Sequence, residues 1–192
     1  MDNDTFWDVI ETARAGAAAS GEPFDEVLVT QLAGRQRQEI LEYAARFDEV
    51  HDALYRWDVW GAAYLIGGGC SEDSFMDFRA GVIAWGRQWY ERVAADPDSL
   101  ATHPEVVEEA SAPDRSETLF YEDVNYAAAG AFERITGDAD AFYEAWREFR
   151  GVGTENREEV DMGEDFDFED DGEMNRRLPR LAALFIGAGT GT

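Results

Sequence analysis

Several residue types that carry chemistry are scarce or missing in this chain. It has no lysine, one cysteine (Cys70) and two histidines, His51 and His103. A single cysteine excludes an internal disulfide and any zinc site built on several cysteines. No run reaches the roughly 18 consecutive apolar residues of a membrane-spanning helix. The first residues, MDNDTFWDVI, lack the basic and apolar regions of a secretory signal, which predicts a cytoplasmic protein.

Positive charge is scarce as well. Sixteen arginines stand against 42 acidic residues, which gives a formal net charge of −26 and an isoelectric point near 4.1. Because contacts to phosphates need a basic face, this charge argues against a nucleic acid or an anionic membrane as the partner. It permits a basic protein partner, and it permits mimicry of nucleic acid if acids form two rows at phosphate-like spacing. The plainer account is a solvated acidic surface that keeps the protein soluble.

Apolar sequence, in contrast, is sufficient for one hydrophobic core, since 45% of the 192 residues are apolar and 13% are aromatic. Apolar residues recur at helical spacing through most of the chain, and few runs alternate as a half-buried strand does. We therefore predict an all-α, single-domain bundle of seven or eight helices. Among them, one helix runs from Arg35 to about Arg56, one from Ser71 to about Ala95, and an amphipathic one over 138–150.

The last part of the chain divides into an acidic segment and a short helix. Residues 155–173 hold eleven acids against one arginine. Such a run of one charge is typical of a solvated, flexible linker. We therefore predict a helical core domain over 1–151, an acidic linker over 152–173 and a C-terminal helix over 174–187. That helix is expected to dock on the core through its apolar side chains, Leu178, Leu181, Leu184 and Phe185.

The stretch YRWDVWGAAYLIGGGCSEDSF, residues 55–75, is apolar nearly all the way round a helix but carries one arginine and one aspartate. Arg56 and Asp58 are two residues apart and fall on different sides of a helix, so we predict that they do not pair. Asp52, four residues before Arg56, is the expected partner of that arginine. Asp58 either caps a helix that restarts at Val59 or finds a partner on another helix.

The next predicted helix offers such a partner. Arg79 falls inside the apolar arc that faces the core, and a buried arginine is unfavourable by several kcal/mol, as an order of magnitude, unless it is paired. We therefore predict a structural ion pair between Asp58 and Arg79. Ser71 is a good N-cap for this second helix, and Asp73 suits its first turn.

Two functions from different classes remain open. The first is a non-enzymatic binding or regulatory module for a protein partner, favoured to be basic by the charge, which acts through its acidic surface or its central segment. The candidate binding residues of that segment are Trp57, Trp60, Asp58 and Arg79. The second is a small-ligand-binding protein or an enzyme with a site at the glycine turn, built from Asp58, Ser71, Asp73 and Arg79. No catalytic motif supports it, so no catalytic residue is assigned.

Other chemistry-bearing patterns are weaker. Cys70 precedes a helix N-terminus, a position that favours reactivity, but neither histidine is spaced to act as its base. Residues 167–178, DFEDDGEMNRRL, imitate a calcium loop until Leu178 stands where a glutamate ligand is needed. The triple glycine lacks the lysine of a phosphate-binding loop. We expect no metal and no cofactor, and the sequence sets neither the partner's identity nor the oligomeric state.

Several blocks of the chain are similar to a known family. YRWDVWGAAYLIGGGCSEDSFMDFR, WGRQWYERVAADPDSL, YEDVNYAA and the terminal RRLPRLAALF resemble a bacterial family of uncharacterised proteins, domain-of-unknown-function family 4240, and the opening MDNDTFWDVI is similar to its start. The resemblance covers most of the chain. It implies a mostly helical, cytoplasmic, single-domain protein, and it implies no activity.

Overall fold

The computed structural model describes residues 1–112, 119–151 and 161–186. Over these ranges the predicted all-α fold is confirmed, with twelve α-helices, one 3-10 helix and no strand. The helices are α1 (Asn3–Ser20), α2 (Phe24–Ala33), α3 (Arg37–Asp52), α4 (Trp57–Gly67), α5 (Glu72–Ala84), α6 (Arg87–Ala95), the 3-10 helix η1 (Pro97–Thr102), α7 (Pro104–Ser111), α8 (Glu122–Asn125), α9 (Ala127–Thr136), α10 (Ala141–Arg150), α11 (Asp171–Arg177) and α12 (Pro179–Phe185).

There are more helices than predicted, partly because two predicted long helices are broken. The helix expected to reach Arg56 ends at Asp52, and Arg56 itself is extended, with φ −139° and ψ 148°. The helix expected to run to Ala95 breaks at Gly86, whose φ is 92°. A side chain at Gly86 would also collide with the carboxylate of Glu11 on α1. The backbone angle requires glycine there.

Two hydrophobic cores share helix α5. The first core is built by α1, α2, α3, α9 and α10, and the second by α4, α6, η1, α7 and the C-terminal segment. Helix α5 gives Ala80 and Ile83 to the first core, and Phe75 and Phe78 to the second. Fully burying a Phe or Ile side chain contributes about 1.5–3 kcal/mol to stability. Since α5 buries such side chains in both cores, it links the two cores into one folded unit.

The described part of the acidic segment packs on the second core. Phe166 is 9% exposed and lies so close to Gly61 of α4 that a Cβ there would be 2.7 Å from its ring. The amide of Trp57, at the start of α4, donates a hydrogen bond to the carbonyl of Met162 over 3.0 Å. This stretch of the predicted linker therefore contributes an aromatic side chain to the core.

Helices α11 and α12 follow this segment, and α12 packs against α4 and η1. The side chain of Asp98 in η1 is almost fully buried and accepts hydrogen bonds from the amides of Arg180 and Leu181 at 2.8–3.1 Å. It thereby satisfies two of the free N–H groups in the first turn of α12. Residues 152–160 and 187, at the ends of the predicted linker and the predicted C-terminal helix, lie outside the described residues.

Candidate functional site

Asp58 pairs with Arg56 and not with Arg79. Nε and Nη2 of Arg56 donate to the two carboxylate oxygens of Asp58 over 3.0 and 2.7 Å. The prediction placed both residues on one helix, but Arg56 is the extended N-cap of α4, so its side chain folds back over the first turn. The predicted Asp58–Arg79 ion pair is wrong, and Asp58 takes the place expected of Asp52 as the partner of Arg56.

The Arg56–Asp58 pair also joins α4 to α6. Nη1 of Arg56 donates to the carbonyl of Ala94 over 2.8 Å, and Oδ1 of Asp58 accepts from the amide of Val59 over 2.8 Å. The hydrogen bonds to Asp58 raise the pKa of the Arg56 guanidinium. The two side chains are 30% and 42% exposed, so the pair is a half-buried clamp between two helices.

Arg79 points into the core as predicted, and one of its partners, His51 on α3, could not be found from helical spacing. Its Nη1 lies 3.1 Å from Nδ1 and 3.1 Å from the backbone oxygen of His51, and its Nε donates to the carbonyl of Phe75 over 3.4 Å. The guanidinium carbon lies 4.8 Å from the ring centre of Tyr55 and 4.9 Å from that of Phe75. Cation–π contacts and carbonyl acceptors therefore contribute to the stability of this buried cation.

Trp57 and Trp60 face the C-terminal segment of the same chain. Their rings stack with centres 5.4 Å apart, and the ring centre of Phe168 lies 5.9 Å from the first and 6.2 Å from the second. Trp60 also donates from Nε1 to the carbonyl of Cys70 and stacks on Phe75. These two predicted binding residues thus already hold an intramolecular segment.

The glycine turn ends α4 and starts α5. Gly68 and Gly69 have φ values of 69° and 138°, which glycine adopts without strain. Oγ of Ser71 accepts a hydrogen bond from the amide of Ser74 over 3.1 Å, so the predicted N-cap is confirmed. Asp73 lies exposed in the first turn of α5, where a negative charge is favourable.

Exposed apolar surface concentrates on α9 and α10. Six large apolar side chains are exposed in the described parts of the chain, and four of them lie on α9, at its N-cap or on α10; we call these four the α9–α10 surface: Tyr126, Ile135, Tyr143 and Phe149. Tyr143 is 50% exposed and Phe149 is 36% exposed. Along α10 the rings of Phe142, Trp146 and Phe149 stack in succession, with centres 5.8 and 5.7 Å apart.

A groove of about 620 Å³ lies beside this surface, between α10, α9 and the start of α3. Its apolar lining comes from Leu41, Phe132, Ala141, Ala145 and Phe149. Its charged lining comes from Glu144, Glu148 and Arg37, and the guanidinium carbon of Arg37 lies 5.8 Å from the ring centre of Phe132. The groove therefore combines aromatic contact area with two carboxylates.

A smaller cavity of about 90 Å³ lies between α3, α8, α9 and α10. Its aromatic lining is Tyr43, Phe47, Phe142 and Trp146, and its polar lining is Asp48 and Asn125. Arg150, the last residue of α10, places Nη1 3.5 Å from Oδ2 of Asp48 and its guanidinium carbon 5.2 Å from the ring centre of Trp146. A cation thus already lies beside the carboxylate and one of the rings.

Sequence reasoning predicted the helix over 138–150 and did not connect it with a site. The available signal was the spacing of Phe142, Trp146 and Phe149, which places three aromatic rings along one side of a helix. The same spacing is typical of a helix that buries its rings completely. Only the packing of α10 on its neighbours decides that Tyr143 and Phe149 stay exposed.

The acids of the calcium-like stretch serve local structure. Oδ1 of Asp167 accepts from the amide of Glu169, and Oδ1 of Asp170 accepts from the amides at the start of α11. In the described parts of the chain, no group of three or more His, Cys, Asp or Glu side chains is placed to hold a metal ion. In the same residues, no helix has the length and apolar character needed to traverse a membrane.

Comparison with known proteins identifies a family. The model of a family described as "Protein of unknown function (DUF4240)" matches residues 1–134, which is more than half of the chain. The terminal RRLPRLAALF and helix α10 lie beyond the matched residues. A search of curated proteins and a search of solved structures each found no similar protein.

Proposed function

We propose that this chain, which belongs to the DUF4240 family of proteins of unknown function, is a non-enzymatic module that binds a basic protein partner. The observation that supports it most is the α9–α10 surface with its adjoining groove. Aromatic side chains are enriched at protein interfaces, and Phe149 contributes an exposed aromatic ring to a groove whose lining is largely apolar.

Charge favours a basic occupant. The net charge of −26 attracts cationic proteins at long range and speeds their association. At short range, Glu144 and Glu148 lie on the groove and accept contacts from lysine or arginine side chains. The occupant that fits is an amphipathic helix whose apolar residues pack on Phe132 and Phe149 while its cations reach these two glutamates.

The rival proposal is a small-ligand or enzyme site at the glycine turn. It needs the polar groups of Asp58, Ser71, Asp73 and Arg79 to converge on one ligand. Three separate contacts argue against this convergence. Asp58 is held by Arg56, the hydroxyl of Ser71 caps α5, and Arg79 is buried beside His51. A bacterial origin and a cytoplasmic location stay predictions.

The test is capture of the partner by groove variants. The full chain is immobilised and exposed to lysate of its source organism at about 50 and 500 mM NaCl, across which surface charges become largely screened. The test variants are Phe149→Ser, which truncates the exposed aromatic ring of the groove, and Glu148→Gln, which removes one of its carboxylates. The matched controls are Val107→Ser and Leu184→Ser, which change side chains of similar exposure, 43% and 37%, far along the chain from α10.

We expect a partner of high isoelectric point that binds the wild-type chain and both controls equally. The two groove variants should weaken its binding by up to about tenfold each, because one removes an aromatic anchor and the other removes a carboxylate that contacts a cation of the partner. High salt should weaken it as well. Equal capture by groove and control variants, or a captured acidic protein whose binding ignores salt, contradicts the proposal.

A further inference from the structure

We propose that the cavity of about 90 Å³ between α3 and α10 is a binding site for a small organic cation of the alkylated ammonium class, such as a trimethylammonium group. This goes beyond the protein partner proposed for the groove, because it concerns a separate cavity and a ligand of different size. Either site can exist without the other.

The lining of the cavity has the composition that such cations require. Four aromatic residues contribute to it, and the face of an aromatic ring attracts a cation that is weakly hydrated. Asp48 adds a carboxylate to the same lining. Burial raises the pKa of the phenol of Tyr43, so this ring contributes as a neutral aromatic group. Methylated ammonium groups suit this combination because they carry charge together with apolar surface.

Arg150 supplies the second, independent observation. Its guanidinium lies over the ring of Trp146 at 5.2 Å and approaches the carboxylate of Asp48 at 3.5 Å. The contact to Asp48 is longer than an ordinary charged hydrogen bond, which spans about 2.7–2.9 Å. The chain therefore already places a cation of its own against the two groups proposed to bind a cation.

The size of the cavity limits the ligand. A volume of 90 Å³ lies well below the roughly 300–1,000 Å³ of a drug-sized pocket. A compact head group fits, and a nucleotide or a peptide backbone does not. Cation–π contacts and a single carboxylate that Arg150 also approaches predict weak binding, with a Kd on the order of 1 mM.

The experiment compares choline with its neutral isostere 3,3-dimethyl-1-butanol, which has the same shape and no charge. Both are titrated into the full chain labelled with 15N, and the indole Nε1–H signal of Trp146 is followed by NMR. We expect a saturable shift with choline and none with the alcohol at the same concentrations. A shift of equal size and midpoint with both compounds shows an apolar cavity only and overturns the cation site, as does the absence of a saturable shift.

Three variants separate a local site from the general attraction of an acidic protein for cations. Asp48→Asn should weaken choline binding about tenfold, because the ligand loses its nearest carboxylate. Arg150→Gln should strengthen it several-fold, because the competing cation is gone. The control Glu133→Gln removes one charge from the exposed side of α9 and should leave binding unchanged. If Asp48→Asn and Glu133→Gln weaken binding equally, only the net charge matters and the proposal fails.

Two further arms identify the source of the cation. A trimethylated N-acetyl-lysine amide presents the head group as a protein side chain does, and choline presents it as a free metabolite. Binding of the lysine derivative at least as tight as that of choline assigns the site to a modified protein. Binding of choline alone assigns it to a small molecule. The unmethylated lysine derivative should bind at least several-fold more weakly than the trimethylated one, and equal binding overturns the preference for alkylated ammonium.

Discussion

Nη1 of Arg79 lies 3.1 Å from Nδ1 of His51, and Nε2 of the same ring lies 2.9 Å from the carbonyl oxygen of Met76. A guanidinium only donates, so Nδ1 must accept and Nε2 must carry the proton that it donates to Met76. The contacts thus fix His51 as a neutral ring in one tautomer. An arginine that faces the core is in this way joined to the end of α3 by a histidine and a backbone carbonyl.

This relationship predicts that Arg79→Lys destabilises the protein. Lysine has one point of charge and lacks the planar fork that reaches His51 and Phe75 at once. We expect the free energy of unfolding in urea to fall by about 1–3 kcal/mol, because buried acceptors lose their donor. Arg92→Lys, which alters an exposed arginine stacked on Trp89, should change it by less than about 0.5 kcal/mol. Equal effects of the two substitutions would show that Arg79 contributes only as a generic cation.

The 15N shifts of the His51 ring provide a second readout of the same contact. In the wild-type chain they should report the Nε2–H tautomer, and in Arg79→Lys this preference should weaken. A wild-type ring that is protonated on Nδ1 at neutral pH is incompatible with the contacts described above.

A second prediction concerns stability in acid. His103 is 4% exposed, with its ring centre 4.2 Å from that of Trp85 and 4.5 Å from that of Trp89. Burial, and then the nearby charge of Arg14, lower the pKa of its imidazole from 6.5 to about 4. The unfolded chain therefore binds a proton in a range where the folded protein does not, and the free energy of unfolding falls as the pH falls from 6.5 to 4. The loss amounts to roughly 3 kcal/mol.

His103→Phe should remove that loss, since phenylalanine packs between the tryptophans and does not titrate. Urea unfolding of variant and wild type at several pH values measures the difference, which should grow in favour of the variant from pH 6.5 down to pH 4. Arg14→Gln keeps the histidine and removes only the smaller cause, so it should reduce the loss by less. Parallel stability curves for His103→Phe and wild type over this pH range would contradict the prediction.

A third prediction tests the contact between α4 and the acidic segment. Gly61→Ala places a methyl group 2.7 Å from Cζ of Phe166 and 3.3 Å from Cδ1 of Leu178. We expect the free energy of unfolding to fall by about 1–3 kcal/mol from this overpacking, and Phe166→Leu in the same chain should restore part of it. Gly130→Ala is the matched control, because its methyl group meets Val29 at ordinary distances of 3.5 and 3.6 Å inside a helix. That control should be neutral or stabilising by up to about 1 kcal/mol.

A fourth prediction concerns the buried carboxylate that caps α12. Asp98→Ala leaves the amides of Arg180 and Leu181 without their acceptor in a buried place, so we expect a loss of about 3 kcal/mol. Hydrogen exchange should rise most in α12 and in the part of η1 that contacts it. Asp73→Ala changes an exposed acid in a helix first turn and serves as control, with an expected change below about 1 kcal/mol. Uniformly faster exchange over the whole chain would mean that Asp98 supports global folding more than the docking of α12.

Local rules predicted the elements better than their partners. The helical class, the turn at Gly68 and Gly69 and the cap at Ser71 followed from spacing and residue type alone, because these features depend on neighbours within a few residues. The pairing of Asp58 failed because one extended residue, Arg56, changed the direction of a side chain that was assumed to be helical. Two residues apart within a helix, an aspartate and an arginine cannot form an ion pair, but they can when the arginine is the extended N-cap. The periodicity of the sequence does not distinguish these two cases.

The packing of the described part of the acidic segment could not be predicted from the sequence, for a different reason. Composition describes an average over many residues, and a run of acids is typical of a solvated linker. The side chain of Phe166 packs against Gly61 of α4 and is buried like a core residue. This contact depends on tertiary geometry alone. The α9–α10 surface was missed because exposure of a ring is set by what lies next to it.

The packing of Phe166 against α4 has a practical consequence for the design of shortened forms of this protein. The region shared with the family stops at Arg134, yet the side of α4 that carries Gly61 is covered by residues far beyond that point. A fragment that ends at Arg134 would expose an apolar notch on α4 and would lose Phe142 and Trp146 from the cavity lining. The isolated region 1–134 should therefore aggregate and be sensitive to proteases, even though it retains every residue matched by the family.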